Sequence, residues 1–256
     1  MSREAGTAAR SQRGTSASPS LRGAHPAGVP STASAVWTLA GITLVRLGRG
    51  KGLWIGAVIA GVQVLYAVAV RARPELASPL ALLLSSMPLL ALLPAIFVGA
   101  SVGEELDERT STYLWSRPLA RWVVLAGKLC ALAPIVIALV VGGWVAAIAL
   151  SSARGPSLAS CVALAAGASA ASLVAAGIAT VMPRHAMAMT IGYMLIDTAV
   201  GLIPFSLREL SITHQTVVIA SLSSEPGALT TAVVAMAVVA AAWVAIAALR
   251  IRRLEV

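Results

Sequence analysis

Charge is what this chain has least of. Only 11% of its 256 residues are Asp, Glu, Lys or Arg and 4% are aromatic, whereas soluble globular domains carry roughly 25% charged residues. So few charges cannot cover a water-facing surface, and an ordinary soluble domain is excluded. Cysteine is nearly absent as well. Cys130 and Cys161 both sit inside apolar runs and read as small buried hydrophobes, because a disulfide framework or metal site needs closer or more numerous ligands. No glycine-rich loop ending in Gly-Lys-Ser or Gly-Lys-Thr occurs, so any nucleotide chemistry must come from another polypeptide.

What is abundant is apolar: 58% of the residues are hydrophobic and the mean hydropathy is +0.88. The solvent that suits such a chain is a bilayer, and the expected fold is an all-α membrane protein. Six stretches meet or approach the ~20 apolar residues a spanning helix requires: about 53–70, 79–102, 122–150, 158–181, 187–204 and 228–249. Short connections at 71–78, 151–157 and 182–186 join most of them, and longer ones fill 103–121 and 205–227. The last of these is half apolar and is expected to dip into the outer interface as one or two short helices. His214 within it reads as an interfacial polar residue. The fourth and sixth stretches are rich in Ala, Gly, Val and Ser, which suits close helix packing in the bundle interior or across a subunit interface.

Before the first span, residues 36–50 are too short and too basic to cross a bilayer and are expected to form an amphipathic helix in the interface. Trp37 and Trp54 would sit at headgroup depth beside Arg46, Arg49 and Lys51. Residues 1–33 are Ser, Ala, Gly, Pro and Arg with no apolar core for a secretory signal, and read as a disordered cytoplasmic tail ahead of a six-span domain over 34–256. The formal charge of +9 would suggest nucleic acid in a soluble protein, but here its placement explains it. One side of the membrane collects the seven basic residues of positions 1–51, then Arg109, Arg117, Arg121, Lys128, Arg184, Arg250, Arg252 and Arg253. The other keeps only Arg71, Arg73, Arg154 and Arg208. The positive-inside rule therefore puts both termini in the cytoplasm, with the bilayer as partner and no role for nucleic acid.

The loop 103–121 is the one dense polar constellation. Glu104, Glu105, Asp107 and Glu108 crowd into five residues on an otherwise basic side, after Gly103, where a helix could begin and its dipole would favour anions. Helical spacing puts Leu106, Thr110, Tyr113 and Leu114 on one stripe and sets Glu105 four residues before Arg109, a pair worth ~0.2–0.5 kcal/mol. Pro118 ends the helix and holds Arg117 extended, so the chain turns back toward the membrane at Arg121 and Trp122. The expectation is a short amphipathic helix along the cytoplasmic surface, joined rigidly to two spans and suited to passing force from a soluble partner.

The pattern G-E-E-x-x-x-R-T-x-x-Y-L-x-x-R-P-x-x-R, with Lys128 seven residues on, resembles the cytoplasmic loop of type-2 ATP-binding cassette (ABC) transporter permeases. The similarity is to the six-span subgroup near the nitrous-oxide-reductase maturation permeases. The order of elements over about 36–253 also fits that subgroup, although only 103–128 is motif-like. The resemblance implies a bacterial inner-membrane permease that is not itself an enzyme. ATP and Mg would belong to a separate ATP-binding cassette subunit, and a second permease copy or paralogue would complete the pathway. It further implies that the loop is a coupling helix docking in a groove of the ATP-binding subunit, through Glu104, Glu105, Arg109, Thr110, Tyr113, Leu114, Arg117, Pro118 and Arg121. The segment 205–227 would be the outer gate region.

Asp197 is the only acid well inside a span, where a carboxylate costs about 2.5–3.5 kcal/mol unless partnered; a structural contact and a pathway position both fit. Two alternatives differ in class. Glu104-Glu105-x-x-x-Arg109 also matches the first motif of intramembrane CAAX-type proteases, but the histidine motifs that this chemistry needs on later spans are missing, since Phe97 and Phe205 lack the spaced His and His185 is followed at i+4 by Met189. The other alternative is a membrane scaffold that transports nothing.

Overall fold

The computed structural model describes residues 31–71, 78–107, 121–151, 157–204, 206–221 and 227–254. Nearly all of the 1–33 tail lies outside them; its last two positions already belong to the first helix. Among the described residues every regular element is helical. α1 covers Thr32–Arg49 and α2 Gly52–Arg71. Next come α3 (Pro79–Leu84), α4 (Met87–Pro94), a π-helical turn (Ala95–Ala100) and α5 (Ser101–Asp107). α6 is Arg121–Leu150 and α7 is Leu158–Val181. A 3-10 turn at Pro183–His185 leads into α8 (Ala186–Leu202), and another at Ser206–Leu210 into α9 (Ile212–Ser221). α10 closes the chain at Ala228–Leu254.

Six of these runs are long and apolar enough to cross a membrane: Gly52–Arg71, Pro79–Asp107, Trp122–Leu150, Leu158–Val181, Pro183–Leu202 and Ala228–Arg253. They coincide with the six expected spans. A 20-residue helix rises about 30 Å, the thickness of the hydrocarbon layer. Segment 205–227 contains two short helices, as its composition suggested.

The second pass is shaped by serine and proline. Ser78 opens it, its Oγ accepting from the Ala81 N–H at 3.0 Å, with Pro79 at the first helical position, where the missing N–H costs nothing. Pro88 then removes a helical donor and the chain breaks at Ser85–Ser86. There the Ser86 N–H turns to Leu83 O at 2.9 Å. The freed Leu82 carbonyl accepts from Ser85 Oγ at 2.7 Å and from Ser86 Oγ at 3.2 Å. Gln63 of α2 reaches the same break, donating from Nε2 to Ser86 Oγ and, at 3.4 Å, to Leu82 O. Pro94 removes another i→i−4 bond just before the wider π turn.

α7 is the hub. It buries one face with Leu164, Ala168, Ala171 and Ala175 in the main core, and another with Ala163, Ala170, Val174 and Ile178 against α9 and α10. Alanine and glycine allow this because neighbouring backbones come close on both sides. At Gly177 an added Cβ would lie 2.8 Å from the Trp243 ring. The fourth span is therefore interior, as its small residues suggested.

The sixth span is not interior to this chain. Only 22% of its most apolar window is buried, against 67% for α7, and Val233, Val234, Val238 and Leu249 of α10 are exposed. An outer helix of a membrane protein needs the same apolar composition as an inner one, so composition did not separate them. The cysteines correct the expectation for the same reason: Cys130 is exposed and Cys161 half-buried, both free.

Candidate functional site

Following the chain through its six passes brings Arg49, Lys51, Asp107, Arg121, Arg184 and Arg252 to one end of the bundle, the charged end. Three elements meet there around α5. α1 lies against the start of α6, where Gly127 leaves no room for a side chain: a Cβ would stand 2.9 Å from Leu39 Cβ and 3.1 Å from Val36 O. One residue on, Lys128 points across to α5. Its Nζ stands 2.8 Å from Glu105 Oε1 and donates to Ser101 Oγ at 3.0 Å and to the Ser101 carbonyl. All three ammonium protons are thus used, and the residue is 7% exposed. Lys128 lies about 9 Å along the helix from Trp122 at 1.5 Å per residue. A lone charge inside the bilayer is costly, which is why its partners converge.

On the other side of α5, Gly103 is pressed onto the connection between α7 and α8. A Cβ there would lie 2.5 Å from Pro183 O and 2.9 Å from Ala186 Cβ. This corrects the expectation for Gly103. The backbone is helical without interruption from Met87 to Asp107, so Gly103 does not begin a helix, and Glu104 and Glu105 prolong the second pass rather than open a separate surface helix. The glycine is there because two backbones touch.

The acids of α5 divide. Glu104 and Asp107 are exposed, Glu105 is half-buried on Lys128, and Leu106 packs against the core. Glu105 is thus committed to a lysine of another pass; Arg109, its expected i+4 partner, is outside the described residues. So are Thr110, Tyr113, Leu114, Arg117 and Pro118. Arg121 is the first residue of α6. Of the proposed docking set, the structure brings Glu104 and Glu105 together on α5. Lys128, Ser101 and the Gly103 contact were not anticipated as one cluster. The available signal was Lys128 itself, a lysine well inside an apolar run.

At the opposite end, Asp197 of α8 holds the start of α9. Its Oδ1 accepts from Ile212 N–H at 2.9 Å and its Oδ2 from Thr213 N–H at 2.9 Å. Ser211 Oγ donates to Oδ2 at 3.1 Å and to the Asp197 carbonyl at 3.0 Å, and accepts from His214 N–H at 3.1 Å. Thr198 and Thr213 hydroxyls add a 3.3 Å contact alongside. Three orphan donors at a helix start are satisfied by the Asp197 carboxylate, delivered from α8, and by the hydroxyl of Ser211 at the head of α9 itself. Both Asp197 oxygens are engaged within the chain, which favours the structural role of the two left open for this residue. Gly201 allows the approach, since a Cβ would meet Ser211 Oγ at 2.8 Å. Among the described residues no three His, Cys, Asp or Glu side chains converge as a metal site.

The six apolar passes make this chain a multi-pass helical membrane protein. No protein-family model matches it, and no curated protein matches it.

Proposed function

We propose that this chain is the membrane-spanning permease subunit of an ABC transporter, working as an exporter in a bacterial inner membrane. ATP and Mg are bound and hydrolysed by a separate ATP-binding cassette subunit, and two permeases, identical or paralogous, form the pathway. Both termini and the charged end face the cytoplasm, α1 lies in the interface, and segment 103–121 is the coupling element. Export rather than delivery to an outer lattice follows the short outer segments and is an analogy with such permeases.

One observation carries this reading. α5 exposes two acids, Glu104 and Asp107, at the charged end while being fixed to the neighbouring pass through Glu105 and Lys128. Exposed acids on a fixed helix suit an element that takes up force from a soluble partner. The protease alternative needs Glu104 and Glu105 at one site, whereas Glu104 faces outward and Glu105 faces Lys128.

The test is whether the full chain, purified from the membrane that carries it, brings an ATP-binding cassette protein with it. A stable complex with stimulated ATPase activity is expected, and Glu104→Lys combined with Tyr113→Ala should abolish both. Absence of a complex, or a double variant that binds and stimulates normally, would sink the proposal.

A further inference from the structure

The two sides of α5 are held in different ways, and that asymmetry has a mechanical meaning. Toward α6 the contact is bonded. Lys128 grips α5 at both ends of one helical turn, at Ser101 and at Glu105, and residues four apart lie on one face. Lys128 is 7% exposed, so letting go would leave a buried ammonium without partners. Toward the α7–α8 connection the contact is close but unbonded. Gly103 lies against Pro183 O and Ala186 with no side chain between, so a shift of α5 along this contact breaks no side-chain hydrogen bond of Gly103. Immediately upstream, the π turn Ala95–Ala100 interrupts the α-helical ladder. Such turns frequently mark functional sites in helices.

We infer that Glu105 is a positioning residue rather than a docking residue: with Lys128 and Ser101 it makes α5 and the start of α6 one rigid lever. The lever slides over Pro183–Ala186, and the π turn takes up its displacement. This rests on the permease reading for what pushes the lever and deepens it by removing Glu105 from the contact surface. Glu104 and Asp107, on the open side of α5, are left to meet the partner. The grip itself is a property of the chain alone.

The experiment uses the full chain in nanodiscs of mixed zwitterionic and anionic lipid, read by hydrogen exchange over 101–107 and by retention and stimulation of the ATP-binding subunit. Glu105→Gln and Lys128→Met should each speed exchange over 101–107 by at least about tenfold, as local opening becomes easier. Glu104→Gln should leave that exchange unchanged. The reciprocal variant, Glu105→Lys with Lys128→Glu, restores the ion pair but not the bond to the Ser101 carbonyl, so it should recover part of the slow exchange and guards against misreading a variant that merely folds badly. Glu105→Gln should still retain the ATP-binding subunit but lose most of the ATPase stimulation. Wild-type exchange in Glu105→Gln, or loss of the complex with exchange unchanged, would overturn the inference. A wild-type chain that shows the grip by exchange yet retains no ATP-binding protein would overturn the permease reading alone.

Discussion

The Lys128 ammonium at one end of the bundle and the Asp197 carboxylate at the other are equally buried, each 7% exposed, yet they are satisfied in opposite ways. Asp197 is held by two backbone N–H groups and a serine hydroxyl. Those donors belong to the start of α9 and cannot move without unwinding it. Lys128 is held by one turn of α5 beside the exposed acids Glu104 and Asp107, and its carboxylate partner is half-exposed. A charge caged by backbone fixes an element in place. A charge shared between the side chains of two passes ties those two passes to each other. On the proposed reading the Asp197 end is architecture and the charged end is where a partner acts, and substitutions can test that division.

The largest effect on stability is expected at Asp197. Asp197→Ala leaves the buried Ile212 and Thr213 N–H groups without their acceptor, while Ser211 Oγ keeps the main-chain carbonyl of position 197, a loss on the order of 3 kcal/mol. Thermal unfolding of the full chain in detergent should show a clear drop in midpoint, with faster exchange across 212–221. Next is Gly103→Ala. A new methyl group 2.5 Å from a backbone oxygen forces two main chains apart and should cost about 1–3 kcal/mol, with any retained ATPase stimulation reduced because the sliding contact is obstructed.

The Glu105–Lys128 pair should matter less for stability than for communication. A double-mutant cycle on Glu105→Gln and Lys128→Met, read by thermal unfolding, should give a coupling of about 1–2 kcal/mol; a larger value than at Asp197 would invert the comparison. Gln63 should matter least. Its Oε1 and Trp144 Nε1 are buried without partners, and Ser86 keeps its bond to Leu82 O when the amide is gone. Gln63→Met should therefore shift stability by less than about 1 kcal/mol in either direction.

The passes were legible because a bilayer imposes a length, and a helix of the right length and polarity is visible in any hydropathy profile. The joints were not. The second pass was expected as one span, 79–102; that it breaks at Ser85–Ser86, with Gln63 of α2 reaching the gap, shows only in the structure. Gly103 looked like a helix start because local pattern reports capping chemistry; that it meets Pro183 is a fact of packing between distant segments. Helical spacing sets Glu105 against Arg109, which lies outside the described residues; that Lys128, 23 positions away on another pass, also reaches Glu105 is not visible in local spacing. Small residues marked α7 and α10 alike for close packing, and of the two only α7 is interior within this chain. Lipid is as apolar as a core, so α7 and α10 look alike in sequence and differ in burial.

The division between the two ends is tested most directly by hydrogen exchange of the full chain in nanodiscs with and without the ATP-binding subunit. Protection is expected to rise over 101–107 and 121–128 when the subunit binds, with 212–221 unchanged. Equal changes at both ends, or a change confined to 212–221, would contradict the claim that the charged end is where a partner acts on this protein.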